Sequence, residues 1–191
     1  EFQDQLYLAM ELIEGRTLKQ IAETEPPPAQ KARVSLIPFS SAISADHPLE
    51  IGVRFELEPG WHIYWQNSGD AGSPPSIAWK LPEGFSAGEV QFPAPKKHLS
   101  PGDIITNILK GEPVLLATIQ SPKDFAGTEV PITAKVVSFV CAEQCKQEET
   151  NVEIKIPVVA STADVKPANE DIRSRAQRSL PKTSSKTVTI T

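Results

Sequence analysis

The chain has 191 residues, a formal net charge of −5, 39% apolar residues and 23% charged ones. That length suits one core-bearing domain with extensions, and an acidic balance with scattered Lys and Arg argues against nucleic acid as a partner. No apolar run approaches the roughly 18 residues that a bilayer-spanning helix needs, and 18 prolines against 10 glycines predict short strands with stiff connections.

Residues 1–24 differ in character from the rest of the chain. The apolar stretch there is interrupted by Glu11 and Glu14 and lacks a basic start, so it does not have the form of a secretory signal. "LYLAMELIEGRTL" locally resembles the hinge segment of bacterial serine/threonine protein kinases. No glycine-rich phosphate loop and no HRD-type or DFG-type motif accompanies it, so the resemblance implies no kinase activity. The expectation is an unrelated extension over 1–31 that ends in the stiff linker "EPPPAQ" (25–30).

From residue 32 the pattern has period two. In "LEIGVRFEL", Leu49, Ile51, Val53, Phe55 and Leu57 face one way, while Glu50, Arg54 and Glu56 face the other. "EPG" (58–60) predicts a turn. "WHIYW" alternates again, with Trp61, Ile63 and Trp65 on one face and His62 and Tyr64 on the opposite one. Further predicted strands are "RVSLI", "SIAWK", "GEVQF", "PVLLATI", "PITAKVVSFV" and "NVEIKIPVV", punctuated by Pro and Gly. About eight short strands with no helix between them predict an all-β fold, an immunoglobulin-like β-sandwich over 32–166. In "PANEDIRSRAQRSLP", Ile172, Ala176 and Leu180 recur every fourth residue, acids come early, arginines late, and Pro181 stops the run. A short helix is expected there, within a C-terminal segment 167–191 whose "KTVTIT" could open a strand or lead into a further domain.

The two cysteines, Cys141 and Cys145, lie in "SFVCAEQCKQEE". Residues four apart on a straight strand are about 13 Å apart, too far for a disulfide. The alternating flanks predict a hairpin that turns at "AEQ" and sets the two cysteines side by side near its tip. A bond closing so small a loop stabilises the fold by about 2 kcal/mol. Two thiolates would need two more ligands to hold a metal, and His47, His62 and His98 have no ligand spacing; each fits a surface or hydrogen-bonding histidine. A passive staple and a redox dithiol both remain open on these grounds. Glu143, Glu148 and Glu149 surround the pair against Lys146, which disfavours a thiolate in the isolated domain. Trp61, Trp65, Trp79 and Phe85 fit core packing, or cover for the turn "QNSGDAGSPP", better than ligand stacking.

"GWHIYWQNSGDAGSPPSIAWKLPEGFSAGEVQFPAPKKH" (60–98), with "GEPVLLATI", "SFVCAEQC" and the short helix ending in Leu-Pro after it, resembles the N-terminal periplasmic domain of DsbD-type thiol:disulfide interchange proteins. The resemblance covers about residues 32–181. It implies an immunoglobulin-like fold in which Cys141 and Cys145 form a redox-active pair. Thioredoxin-like and membrane redox modules would deliver electrons to that pair, and it would reduce periplasmic partner proteins. Relatives often carry an aromatic residue where Ser138 stands and an apolar-Pro pair where Lys146-Gln147 stands, and the segment "TNILKGEP" also departs from them. The resemblance thus implies a periplasmic protein-disulfide reductase domain with no bound cofactor, because the sulfurs carry the electrons. Cys145, beside Lys146, is the expected point of attack. The alternatives are a binding or scaffold sandwich with an inert disulfide and an aromatic sugar- or peptide-binding module.

Overall fold

The computed structural model of the chain describes residues 30–45, 47–123, 125 and 127–182. The kinase-like segment and "KTVTIT" lie outside the described residues. The strands run in chain order as β1 (Ala32–Pro38), β2 (Leu49–Leu57), β3 (His62–Gly69), β4 (Ser76–Lys80), β5 (Ser86–Ala87), β6 (Lys96–Ser100), β7 (Ile104–Lys110), β8 (Val114–Gln120), β9 (Glu129–Cys141) and β10 (Cys145–Pro157). One sheet has the order β1–β2–β8–β5. The other has the order β10–β9–β3–β7–β6, with β4 also paired to β9. Strands β3 and β4 share one edge of β9: His62 opposes Cys141, and Ser76–Lys80 opposes Thr133–Val137.

The period-two stretches supply the space between the sheets. Leu49, Ile51, Val53 and Phe55 are fully buried, and they meet Ile63, Leu115, Ile119, Ile132 and Val140. Each such side chain contributes about 1.5–3 kcal/mol by leaving water. Two sheets with antiparallel pairing and a shared inner core make the expected immunoglobulin-like sandwich. Trp61, Trp65, Trp79 and Phe85 are half-buried against this core. The indole N–H groups of Trp65 and Trp79 are buried without an acceptor among the described residues, a cost of about 1–3 kcal/mol each that their ring burial offsets.

Two strand expectations need revision. "GEVQF" is no continuous strand. Only Gln91 bridges to Leu116 in β8, and the neighbouring pairing is the two-residue β5. Gly88 supplies no side chain to pack, and Pro93 has no N–H to extend a ladder. Conversely, β6 and β7 form a hairpin through Pro101, Gly102 and Asp103 that the sequence pattern does not predict. Leu99 and Ile105 are 65% and 46% exposed, and burial in β7 falls on Thr106, Ile108 and Leu109, so this hairpin carries no period-two apolar pattern.

The predicted helix is α1 (Glu170–Ser179), with Glu170 and Asp171 in its first turn and Arg178 in its last. Its Ala176, Ile172 and Leu180 pack on Ile37, Phe39, Val114 and Leu116, on the outer side of the first sheet. Arg173 and Gln177 donate to the Glu50 carboxylate at 2.6 and 3.1 Å. A side chain at position 52 would meet Val114 and Phe39, so Gly52 makes room for this second apolar cluster.

Candidate redox site

Strands β9 and β10 are 13 residues each, and their antiparallel register brings Cys145 opposite Cys141. The reversal uses Ala142, Glu143 and Gln144, closed by the Ala142 N–H donating to the Gln144 carbonyl at 3.0 Å. The expected tight hairpin is therefore present, and the sulfurs are bonded at 2.08 Å with the Cα atoms 4.1 Å apart. The two ends of the bond differ. Cys141 is 1% exposed, whereas Cys145 is open to solvent.

The outer face of β3 buries Cys141. Residues directly opposite across an antiparallel pair share a face. His62 lies opposite both Cys141 and Lys110, and Tyr64 lies opposite Ile108. Tyr64, Ile108 and Cys141 form one small buried cluster. The Tyr64 hydroxyl donates to Cys141 Sγ at 3.4 Å and lies 3.9 Å from Cys145 Sγ. Burial raises the Tyr64 pKa above its ordinary value, so the phenol keeps the proton it donates.

The turn "NSGDAG" holds that phenol in place. A Cβ at Gly72, where φ is +84°, would overlap the Tyr64 ring, so only glycine lets the backbone lie against it. Asp70 ties the turn to β7: its backbone N–H donates to the Ile105 carbonyl at 3.0 Å, and its carboxylate accepts from the Ile105 N–H at 2.8 Å. The Asn107 side chain donates to the Asn67 carbonyl at 2.9 Å. The sequence marks "QNSGDAGSPP" as a turn but not its hold on Tyr64, for which the Gly-Asp-x-Gly spacing is the visible signal.

The histidine expectation holds in part. His47 is exposed and stands apart. His62 is 5% exposed, so it is no surface residue, and no group among the described residues hydrogen-bonds its ring. It meets Tyr64 edge-on at 5.5 Å between centroids and His98 at 5.4 Å. Burial first, then the positive charge of His98 and Lys110, lowers its pKa to about 4. The acidic surroundings expected of the disulfide also shrink. The Glu148 carboxylate accepts from the Lys31 and Ala32 N–H groups at 2.7 and 3.1 Å, and Glu149 pairs with Lys135 at 2.8 Å. Of the three acids, Glu143 stays at the hairpin tip. Ser138 is buried on the inner face and does not cover the sulfurs. Half-exposed Phe139, which the sequence did not single out, shares their face.

A sequence model of the family described as thiol:disulfide interchange protein DsbD, N-terminal, matches residues 33–157, a span that includes both cysteines. No curated protein matches the chain. Among solved structures, the N-terminal periplasmic domain of ScsB from Proteus mirabilis is similar over 84% of this chain and 58% of that one, at 20% identity and a TM-score of 0.60. This chain thus spans less than two thirds of that relative, and the likeness is one of fold. The reduced N-terminal domain of Neisseria meningitidis DsbD aligns over 76% of this chain and 96% of its own, at 16% identity and a TM-score of 0.40. A complex of the DsbD N-terminal and PilB N-terminal domains from the same organism aligns over 70% and 87%, at 13% identity and a TM-score of 0.36.

Proposed function

We propose, because this chain belongs to the DsbD N-terminal family of thiol–disulfide exchange domains, that Cys141 and Cys145 are a redox-active pair that relays reducing equivalents in the periplasm. A thioredoxin-like or membrane redox module supplies them, and disulfides of partner proteins receive them. The carrying observation is the unequal exposure of the two cysteines, with Tyr64 hydrogen-bonded to the sulfur of the buried one.

A donor thiolate approaches in line with the S–S bond from the open side and attacks Cys145 Sγ. The S–S bond breaks, and Cys141 Sγ leaves as a thiolate that keeps the Tyr64 O–H as its donor. The donor's second thiol then attacks its own sulfur in the mixed disulfide, releasing Cys145 as a thiolate and leaving the donor oxidised by two electrons. In the reverse direction Cys145 attacks a partner disulfide and Cys141 resolves the mixed disulfide. A hydrogen bond to a developing thiolate lowers the cost of its departure. The work divides between an exposed attacking sulfur and a buried resolving one. Residues 32–166 form the exchange unit in this reading, 1–31 an unrelated extension, and 167–191 a C-terminal segment whose helix docks on the sandwich.

The test is trapping from the reduced protein. Cys141→Ala is expected to accumulate mixed disulfides through Cys145 with a thioredoxin-like protein, whereas Cys145→Ala is expected to accumulate few. Equal trapping by both variants overturns the assigned roles. A wild-type disulfide that resists thioredoxin-like reductants, with a potential below roughly −300 mV, favours the scaffold reading instead.

A further inference from the structure

Beside the disulfide lies an open cleft of about 580 Å³, walled by the hairpin tip on one side and by β3, β6 and β7 on the other. Such a volume is within the range of small-molecule sites, roughly 300–1,000 Å³. His62, His98, Lys110, Lys146 and Glu143 line it. His62 carries the argument. The residue is 5% exposed, its ring has no hydrogen-bond partner among the described residues, and it borders the cleft. An imidazole that borders an open cleft with no protein partner can donate its ring N–H to a ligand there. The surrounding charge indicates what would satisfy it. Two lysines and His98 face a single acid, Glu143, at the tip.

We propose that this cleft is a carboxylate-binding subsite that selects small disulfides bearing an acidic group near their sulfur. The proposal rests on the exchange role of the cysteine pair and adds a substrate class to it. The carboxylate would accept from the His62 ring N–H and sit between the Lys110 and Lys146 ammonium groups. Its sulfur would then stand at the hairpin tip, where Cys145 is open. The reaction balances without a further reagent. The Cys145 thiolate attacks one sulfur of the small disulfide, and one small thiolate leaves and is protonated by water. Cys141 then attacks Cys145 Sγ as a thiolate and expels the second small thiolate. One small disulfide becomes two thiols, and the domain becomes oxidised.

Binding can be measured apart from the chemistry, because the oxidised domain has no thiol with which to react. The probe is 3,3′-dithiodipropionate, with neutral bis(2-hydroxyethyl) disulfide and cationic cystamine as controls. Titration into the oxidised protein is expected to give saturable shifts of the His62 and His98 ring resonances for the dicarboxylate and none for the controls. Besides the carboxylate, the charged or titratable groups facing His62 are Tyr64 on its own strand, Lys110 on β7, His98 on β6, and Lys146 and Glu143 at the hairpin. An added anion among them raises the His62 pKa, and a ligand that merely packs would not. Lys110→Met is expected to weaken binding about tenfold, the scale of one charge-assisted hydrogen bond. Glu143→Gln, on the exposed tip, is expected to strengthen it, an outcome that damage to the fold cannot imitate.

In the reduced protein, rates are normalised to those of dithiothreitol with each disulfide. The dicarboxylate is then expected to react about tenfold faster than the neutral probe. Cysteine peptides joined as disulfides, with Glu or Gln beside the cysteine, test whether a protein-borne acid is read in the same way. If peptides discriminate and dithiodipropionate does not, the small-molecule assignment falls. Equal shifts from all three probes, or no effect of Glu143→Gln, overturn the subsite. A reduced domain inert toward every disulfide instead overturns the exchange role and leaves the binding result standing.

Discussion

The two faces of β3 are buried by different means. Ile63 points between the sheets and meets Phe55, Leu115 and Ile132, residues contributed by strands whose own alternation announces the core. His62 and Tyr64 point the other way, yet they are 5% and 7% exposed because a glycine-bearing turn and a hairpin cover them. On the inner face the sequence meets one demand, apolar volume. On the outer face it must provide a phenol against a sulfur, an unpartnered imidazole and an open second sulfur. One face maintains the fold, and the other adjusts the chemistry of a single bond.

Substitutions that act on one face at a time test that division. The largest expected effect is Phe55→Ala on the inner face, a loss of about 3–5 kcal/mol from the cavity it leaves. Denaturant unfolding reads the loss, while the rate at which dithiothreitol reduces the folded fraction stays unchanged. A change in that rate would show that the faces are coupled.

Acid should act through the outer face. The His62 pKa falls from 6.5 in the unfolded chain to about 4 in the folded one, so between these values the unfolded state binds more protons. Stability therefore rises with pH across that window and is lost as pH drops through it, by on the order of 2 kcal/mol. Unfolding curves between pH 4 and 6.5 check this, and His62→Gln should flatten the slope. An unchanged slope would mean that the ring titrates normally.

The smallest stability effect, with the most specific chemical one, belongs to Tyr64→Phe. It removes one hydrogen bond, about 1 kcal/mol of stability, and leaves the ring under Gly72. Reduction by dithiothreitol is expected to slow about tenfold, because Cys141 departs without its donor. A variant that reacts at the wild-type rate removes Tyr64 from the mechanism.

The same division explains which features are legible in the sequence. Strands β2 and β9 line the core on one face and alternate accordingly. Strand β8 reads as a continuous apolar run, because the helix covers Val114 and Leu116 on its other face. The cysteine hairpin is legible because its two strands are consecutive in the chain. The Tyr64–Cys141 contact spans 77 positions and depends on β3 taking its place beside β9, a choice that no local pattern encodes. His62 and His98 meet only through the β3–β7–β6 order. Strands β6 and β7 escape recognition for a related reason: Leu99 and Ile105 are apolar but exposed, so hydropathy misrepresents their surroundings.

In antibody-type sandwiches a disulfide clamps one sheet to the other, and cutting it loosens the whole body. Here the linked residues are four positions apart in a single hairpin, and the hairpin's ladder extends from Pro157 to the cysteines themselves. Opening the bond frees almost no chain and leaves the clamshell of two sheets shut. The bond can therefore open and close while the architecture of the domain stays in one shape.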